Sequence, residues 1–233
     1  MHPLFSTAVL VFVRNEQEEA RLKSFHQRLG VRARLQVVRT FNRHITQVTR
    51  QSGLPFFIIK GEQQVGANFG ERFSNAIESV FAAGFENVVA VGNDCLSLTS
   101  KHLQRIATLL EQDTPLVLGP AKDGGVYTIG LKRSAYHRAT FINFPWQTES
   151  VLTSLITYAQ KQRLDCYYLA PATDVDDAVS FQKALSSLAT TTYLYKVLKN
   201  IIHSVGSQPV ADIPFIAAKY SATALLRAPP FHS

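Results

Sequence analysis

Two aspartates frame the chemistry that this sequence can offer. Asp94 closes the run VVAVGND, and Asp123 opens the run DGGVYTIGL. Val88 to Val91 and Leu116 to Leu118 are short apolar runs bounded by turn residues, the pattern of buried strands. The first releases Gly92-Asn93-Asp94, and the second leads through Gly119-Pro120 into Asp123-Gly124-Gly125. Ligands of open α/β sheets bind beyond the carboxyl ends of the strands. Two strands that each release an aspartate there can bring two carboxylates to one cleft. A third segment, Thr173-Asp174-Val175-Asp176-Asp177, adds more acid. One or two carboxylates holding a divalent cation would let the chain meet a polyphosphate, so Asp94 completed by Asp174 or Asp176 is the candidate site for Mg2+ or Mn2+. Carboxylates ahead of a helix also cap its free amides, and for Asp174 and Asp176 the sequence leaves both roles open.

The elements that must position these groups are readable in order. Thr7 to Val13 is a continuous apolar, β-branched run, as expected of a central parallel strand. A polar helical segment follows over Glu16 to Leu29, then a basic stretch from Val31 to Arg50 that fits a helix or a short strand. Pro55 to Ile59 is a second strand. Phe69, Phe73, Ile77, Val80 and Phe81 recur at helical spacing, and Gly84 ends that helix. Thr99 is placed to cap the next helix, with Leu103, Ile106, Leu109 and Leu110 along one face. Val126 to Leu131 is a strand containing Tyr127. Val151, Leu152, Leu155 and Ile156 mark another helix, preceded by Trp146, which serves as a core anchor or as a stacking platform. Cys166 to Leu169 reads as a strand, Ala178 to Leu188 and Tyr193 to Val205 as helices. Strands alternate with helices, which predicts an α/β fold: a mainly parallel sheet with helices on both faces. We divide the chain into a domain over residues 1–190 and a C-terminal helix with an irregular tail over 191–233.

VGNDC-L-L followed by LGPAKDGGVYTIGL resembles a family of small bacterial proteins of glycosyltransferase-A fold, the selenoprotein- or radical-SAM-domain-associated transferases. The resemblance covers Thr7 to Leu188. It implies a nucleotide-diphospho-sugar transferase fold, with Asp94 on the metal or nucleotide side and Asp123 on the acceptor side as the catalytic pair. It implies that Gly92, Asn93, Gly124 and Gly125 face nucleotide or substrate, and that Asp174-Val175-Asp176 is the family's late Asp-Val-Asp near the same cleft. The segment QQVGANFGERF resembles the family's Gln-rich stretch and assigns Gly70, Glu71 and Arg72 to the nucleotide, and Phe144 to Glu149, including Trp146, resembles its turn into a helix. In the first loop the family carries a glycine and a lysine-threonine-arginine run for phosphates. This chain reads RNEQEEARLKSF, with Arg14, Arg21 and Lys23 available for phosphate and three glutamates expected to repel it.

Composition bounds the remainder. With 46% hydrophobic and 18% charged residues the chain can bury a full core. A net charge of +7 favours anionic partners, but the basic residues are spread along the sequence and no nucleic-acid motif accompanies them. Two cysteines, neither in a CxxC, point to reduced buried thiols and a cytoplasmic setting. The apolar start is shorter than the ~20 residues that span a bilayer, so no membrane span is expected. The expected function is metal-dependent glycosyl transfer from a nucleotide sugar to an unknown acceptor. The alternatives are a nucleotidyltransferase releasing pyrophosphate and a degenerate nucleotide-binding or scaffold protein. The tail is expected to wrap the domain, pair with a second copy as a homodimer, or fray.

Overall fold

The computed structural model describes residues 6–206. Six strands form one sheet in the order β2-β1-β3-β5-β4-β6. They are β1 (Thr7–Val13), β2 (Phe56–Lys60), β3 (Asn87–Val91), β4 (Leu116–Pro120), β5 (Val126–Lys132) and β6 (Cys166–Tyr168). β1 pairs in parallel with both β2 and β3, and β4 in parallel with β6. β5 alone runs antiparallel, between β3 and β4. The sheet is therefore mostly parallel, with one reversed strand close to its middle. β1 and β3 are buried along their whole length, which is why their sequences are apolar without alternation.

The alternation appears in the packing instead. Ala8, Leu10 and Phe12 face one layer, in which α3 (Phe69–Ala82), the short α5 (Arg138–Phe141) and α6 (Val151–Gln162) lie. Val9, Val11 and Val13 face the other, against α2 (Val31–Gln51) and α4 (Ser100–Glu111). A third cluster joins α1 (Glu16–Leu22), α2, α7 (Ala178–Ser187) and α8 (Tyr193–Gly206) around Phe25, Phe41 and Phe181. Leu194, Leu198 and Ile201 of α8 are buried in it. The basic stretch from Val31 is one unbroken helix, because Val37, Val38, Phe41, Ile45 and Val48 make a buried stripe at helical spacing. Thr99 caps α4 by accepting from His102 N–H, as its position suggested.

The first helix is shorter than the sequence pattern indicates. It ends at Leu22, and Lys23 turns extended, with φ −90° and ψ 131°, so that its side chain points inward. Strand order explains where the cleft lies. β2 sits on one side of β1 and β3 on the other, so the chain changes direction across the sheet between β1 and β3, the place where such sheets bind ligands. The loops after β1 and β3 meet there. The tail beyond residue 206 lies outside the described residues.

Candidate functional site

A cleft of about 1420 Å³ opens at the carboxyl edge of the parallel strands. Among the described residues, eight carboxylates and three basic side chains line it, the latter Arg14, Lys23 and Arg72. A chain of net charge +7 thus presents a locally acidic cleft.

The first loop is built differently from its sequence-based expectation. Its glutamates do not confront the cleft as free charges. Glu16 accepts from Arg39 Nε at 3.1 Å and from Asn42 Nδ2 at 3.2 Å, and Glu18 stands 4.0 Å from Arg14. Glu19 is buried, 2% exposed. Its Oε2 accepts from Asn93 Nδ2 at 3.0 Å, and its Oε1 lies 3.4 Å from Lys23 Nζ one helical turn on. Burial raises the Glu19 pKa, with Lys23 and Asn93 opposing that shift. Asn93 also donates to Asn42 Oδ1 at 2.7 Å, so its amide ties the end of β3 to α1 and α2.

Lys23 sits inside the acidic group. Its ammonium donates to Asp94 Oδ2 at 3.0 Å and to the Val175 carbonyl at 2.9 Å, and lies 3.1 Å from Asp176 Oδ1. Burial disfavours its charge, but Asp94, Glu19 and Asp176 outweigh burial and hold its pKa above the ordinary lysine value. The Asp-Val-Asp segment works by extended-chain alternation, which puts Asp174 and Asp176 on one side and Val175 on the other. Val175 is fully buried among the α1, α7 and α8 side chains, and its N–H donates to Asp94 O at 3.1 Å. Helix capping does not explain the pair. Asp177 caps α7, accepting from Ser180 N–H at 2.7 Å.

Asp174 is the outlier. Its Oδ1 is buried and has no hydrogen-bond partner. Burial, then the charges of Asp94, Asp123 and Asp176, push its pKa up to about 9. A buried carboxylate oxygen without a donor costs stability unless something positive arrives. Asp174 and Asp94, with Asp123 near, are hard oxygen donors of the kind that Mg2+ and Mn2+ take, so the residues fit a divalent ion. Among the described residues no three acidic, histidine or cysteine side chains already converge as a ligand shell. Asp94 and Asp176 are held by Lys23 instead.

Asp123 comes from the turn between β4 and β5, where its Oδ1 accepts from Gly125 N–H at 3.0 Å. Gly124 has φ +92°, and a Cβ there would stand 2.3 Å from Glu149 O, so only glycine lets the turn dock against the start of α6. Tyr127 sits at a bulge between β4 and β5, and its hydroxyl donates to Ala170 O at 3.1 Å. Phe12, Phe69, Phe73 and Trp146 form an aromatic wall. Trp146 is both an anchor, its indole N–H donating to Phe141 O at 2.6 Å, and a lining residue.

Of the residues the sequence singles out, Arg14, Lys23, Arg72, Gly92, Asn93, Asp94, Asp123, Gly125, Trp146, Asp174 and Asp176 line this one cleft. Gly70, Glu71, Gly124 and Arg21 are not among its lining residues. Gly70 packs against Ile142, whose carbonyl oxygen would lie 2.2 Å from a Cβ, and Glu71 accepts from Ala67 N–H at 2.8 Å. The segment from Phe144 to Glu149 reads in the sequence as a turn into a helix with Trp146 alone facing a ligand, yet Gln147 to Ser150 also line the rim, with Gln147 at φ +64°. Gln64, within the Gln-rich stretch that the resemblance sets beside the nucleotide, lines the cleft and latches the loop before α3 to Val13 O at 2.8 Å. Both thiols are free. Cys95 is buried, which pushes its pKa up to about 11, and Cys166 is half-buried.

Comparison with known proteins agrees with this geometry at the level of fold. Residues 31–148, half of the chain, match the family described as "Uncharacterized protein conserved in bacteria (DUF2064)". No curated protein matches the sequence. Among solved structures, a protein of Desulfovibrio desulfuricans G20, provisionally assigned as a nucleotide-diphospho-sugar transferase, is 21% identical. It superposes with a TM-score of 0.74 over 87% of this chain and 98% of that one. Rv0371c of Mycobacterium tuberculosis H37Rv, solved as a complex with manganese, is 13% identical, with a TM-score of 0.43 over 78% of this chain and 99% of that one. A CMP:2-keto-3-deoxy-manno-octonic acid synthetase complexed with CTP is 10% identical, with a TM-score of 0.42 over 76% and 96%. The fold is that of the nucleotide-diphospho-sugar transferases, the glycosyltransferase-A type. No helix of the described residues is long and apolar enough to cross a membrane.

Proposed function

This chain belongs to the DUF2064 family of bacterial proteins, and from that premise we propose that its cleft binds a nucleoside diphosphate sugar with Mg2+ or Mn2+ and passes the glycosyl group to an acceptor hydroxyl. The observation that carries this reading is the partnerless, buried Asp174 carboxylate oxygen beside Asp94 and Asp123, at the carboxyl edge of the sheet. Eight lining carboxylates repel a diphosphate, and a cation between them removes the conflict. Asp94 and Asp174 would hold the ion, which when bound would stabilise the negative charge of the departing diphosphate as a Lewis acid.

The chain's own residues do the rest. Arg72, which has no ion-pair partner among the described residues, and Arg14 would take phosphate oxygens. Asp123 would orient the acceptor hydroxyl and receive its proton. Phe69, Phe73 and Trp146 would exclude water along the acceptor's apolar side. The finer kinship, with the selenoprotein- or radical-SAM-associated transferases, rests on VGNDC and LGPAKDGGVYTIGL and belongs to the same proposal. So do a cytoplasmic setting, a transferase domain over 1–190, and a homodimer. Nucleotidyl transfer from a nucleoside triphosphate is less well supported, because no glycine stands in the first loop to bring backbone amides onto a triphosphate. A second reading, a nucleotide-binding protein without turnover, is favoured by Lys23, which already neutralises Asp94 and Asp176.

Thermal unfolding with a panel of nucleotides and nucleotide sugars, with and without Mn2+ or Mg2+, tests the proposal. A ligand at 100 times its dissociation constant stabilises by about 2.7 kcal/mol. We expect a metal-dependent rise in Tm for one nucleoside diphosphate sugar, lost in Asp94→Ala. If no nucleotide shifts the wild type in either metal, the proposal is wrong. A shift without sugar transfer or hydrolysis supports the second reading.

A further inference from the structure

The Lys23 side chain is placed as few lysines are. A lysine normally lays its stem on apolar surface and keeps its ammonium in water. Here the side chain is 13% exposed, and the ammonium is enclosed by four oxygens at 2.9–3.4 Å: the Val175 carbonyl, Asp94 Oδ2, Asp176 Oδ1 and Glu19 Oε1. The enclosure is braced from three elements. Glu19 on α1 is fixed by Asn93, Asn93 by Asn42 of α2, and Val175 by its N–H bond to the Asp94 carbonyl. Lys23 does not touch Asp174, whose Oδ1 stays without a partner. The acidic cluster therefore has two places for positive charge, one already filled and one that asks for it.

We infer that Lys23 is a tethered cation of this cleft, which stays between Asp94 and Asp176 while a single divalent ion binds beside it at Asp174. This rests on the reading that the cleft takes a divalent ion. It deepens that reading in one respect: a diphosphate bound here would face one metal ion and one ammonium, not two metal ions. Lys23 is then a positioning residue, which acts by holding Asp94 in the orientation that meets the ion. The glutamates of the first loop acquire a purpose as well. Glu19 fastens the ammonium at the spacing of one helical turn.

Two readouts on the wild-type chain test this: Mn2+ stoichiometry by electron paramagnetic resonance, and the acylation rate of Lys23 by an N-hydroxysuccinimide ester, followed by peptide mass spectrometry with and without saturating Mn2+. A caged ammonium reacts only when its cage opens. We expect one Mn2+ per chain and a Lys23 labelling rate that Mn2+ leaves unchanged. Lys23→Met, where folded, is expected to take a second Mn2+ in the vacated place. If saturating Mn2+ speeds Lys23 labelling by about tenfold or more, the ion displaces the lysine and the inference falls, with the metal reading intact. Two Mn2+ in the wild type, or a folded Lys23→Met that still takes one, also overturns it. No Mn2+ bound at all overturns the inference and the metal reading together.

Discussion

The two sides of the cleft are built on opposite terms. The aromatic side is closed: Phe73 is 6% exposed, its ring centroid 5.3 Å from Phe12, 5.8 Å from Phe69 and 5.1 Å from Trp146. Its one polar atom, the indole nitrogen, has its hydrogen bond. The acidic side leaves a carboxylate oxygen buried and unanswered, and keeps its neighbours in place only by caging a lysine. The first arrangement lowers the energy of the empty protein, while the second raises it until a cation comes. Stability and binding are thus divided between two walls of the same cavity.

Mutations should separate them by sign. The largest effect is expected on the aromatic side. Phe73→Ala removes a buried ring and leaves a cavity, at a cost of about 3–5 kcal/mol in a denaturant titration. A loss below about 1 kcal/mol would mean that the wall collapses to fill the gap and is not the rigid side of the pair. On the acidic side the expected sign reverses. Asp174→Asn keeps the shape and removes an acid whose ionisation burial and three neighbouring aspartates oppose. The unliganded protein should gain about 1–3 kcal/mol, and Mn2+ should no longer stabilise it. If Asp174→Asn destabilises the empty protein, Asp174 is a structural acid and the contrast between the walls disappears.

The aromatic side was legible in the sequence, and the acidic side only in outline. Phe69, Phe73, Ile77 and Phe81 announce a helix face by spacing alone, and apolar runs announce β1 and β3, because burial acts on residue types that can be read one at a time. Asp94, Asp123, Asp174 and Asp176 were legible as candidates because each ends or precedes an apolar run at one edge of a parallel sheet. What those letters could not convey is direction. Three glutamates in the first loop read as a barrier to phosphate, yet Glu16 and Glu18 turn to arginines and Glu19 turns inward. A signal was present in the four-residue spacing of Glu19 and Lys23, the geometry of a helical ion pair. Likewise Ser180, three residues after Asp177, marks the capping box and so leaves Asp174 and Asp176 without a capping role. The extent of α1 was misjudged for a related reason. Its hydrophobic period continues to Leu29, but the helix ends at Leu22 and the backbone of Lys23 is extended, with its ammonium on Asp94 and the Val175 carbonyl.

The smallest effect sharpens the contrast, because it comes from a buried polar group with no part in the cleft. His44 on α2 has a buried Nε2 without a partner. Burial lowers its pKa below the ordinary histidine value, against a hydrogen bond with the Leu96 backbone that pulls the other way. A histidine lowered in the folded state contributes stability that is present above its unfolded pKa of ~6.5 and is lost as pH falls through the folded value. Asp174 acts with the opposite sign: raised to about 9, it favours the folded state most below its ordinary range and loses that contribution as pH rises. The two must therefore be separated by difference, wild type against His44→Gln, with urea midpoints measured at several pH values between about 7.5 and 5. The wild type should fall relative to the variant as pH drops across that window. A difference that stays flat would mean that His44 binds its proton equally well in the folded and unfolded chain, so that its burial on α2 does not oppose its charge.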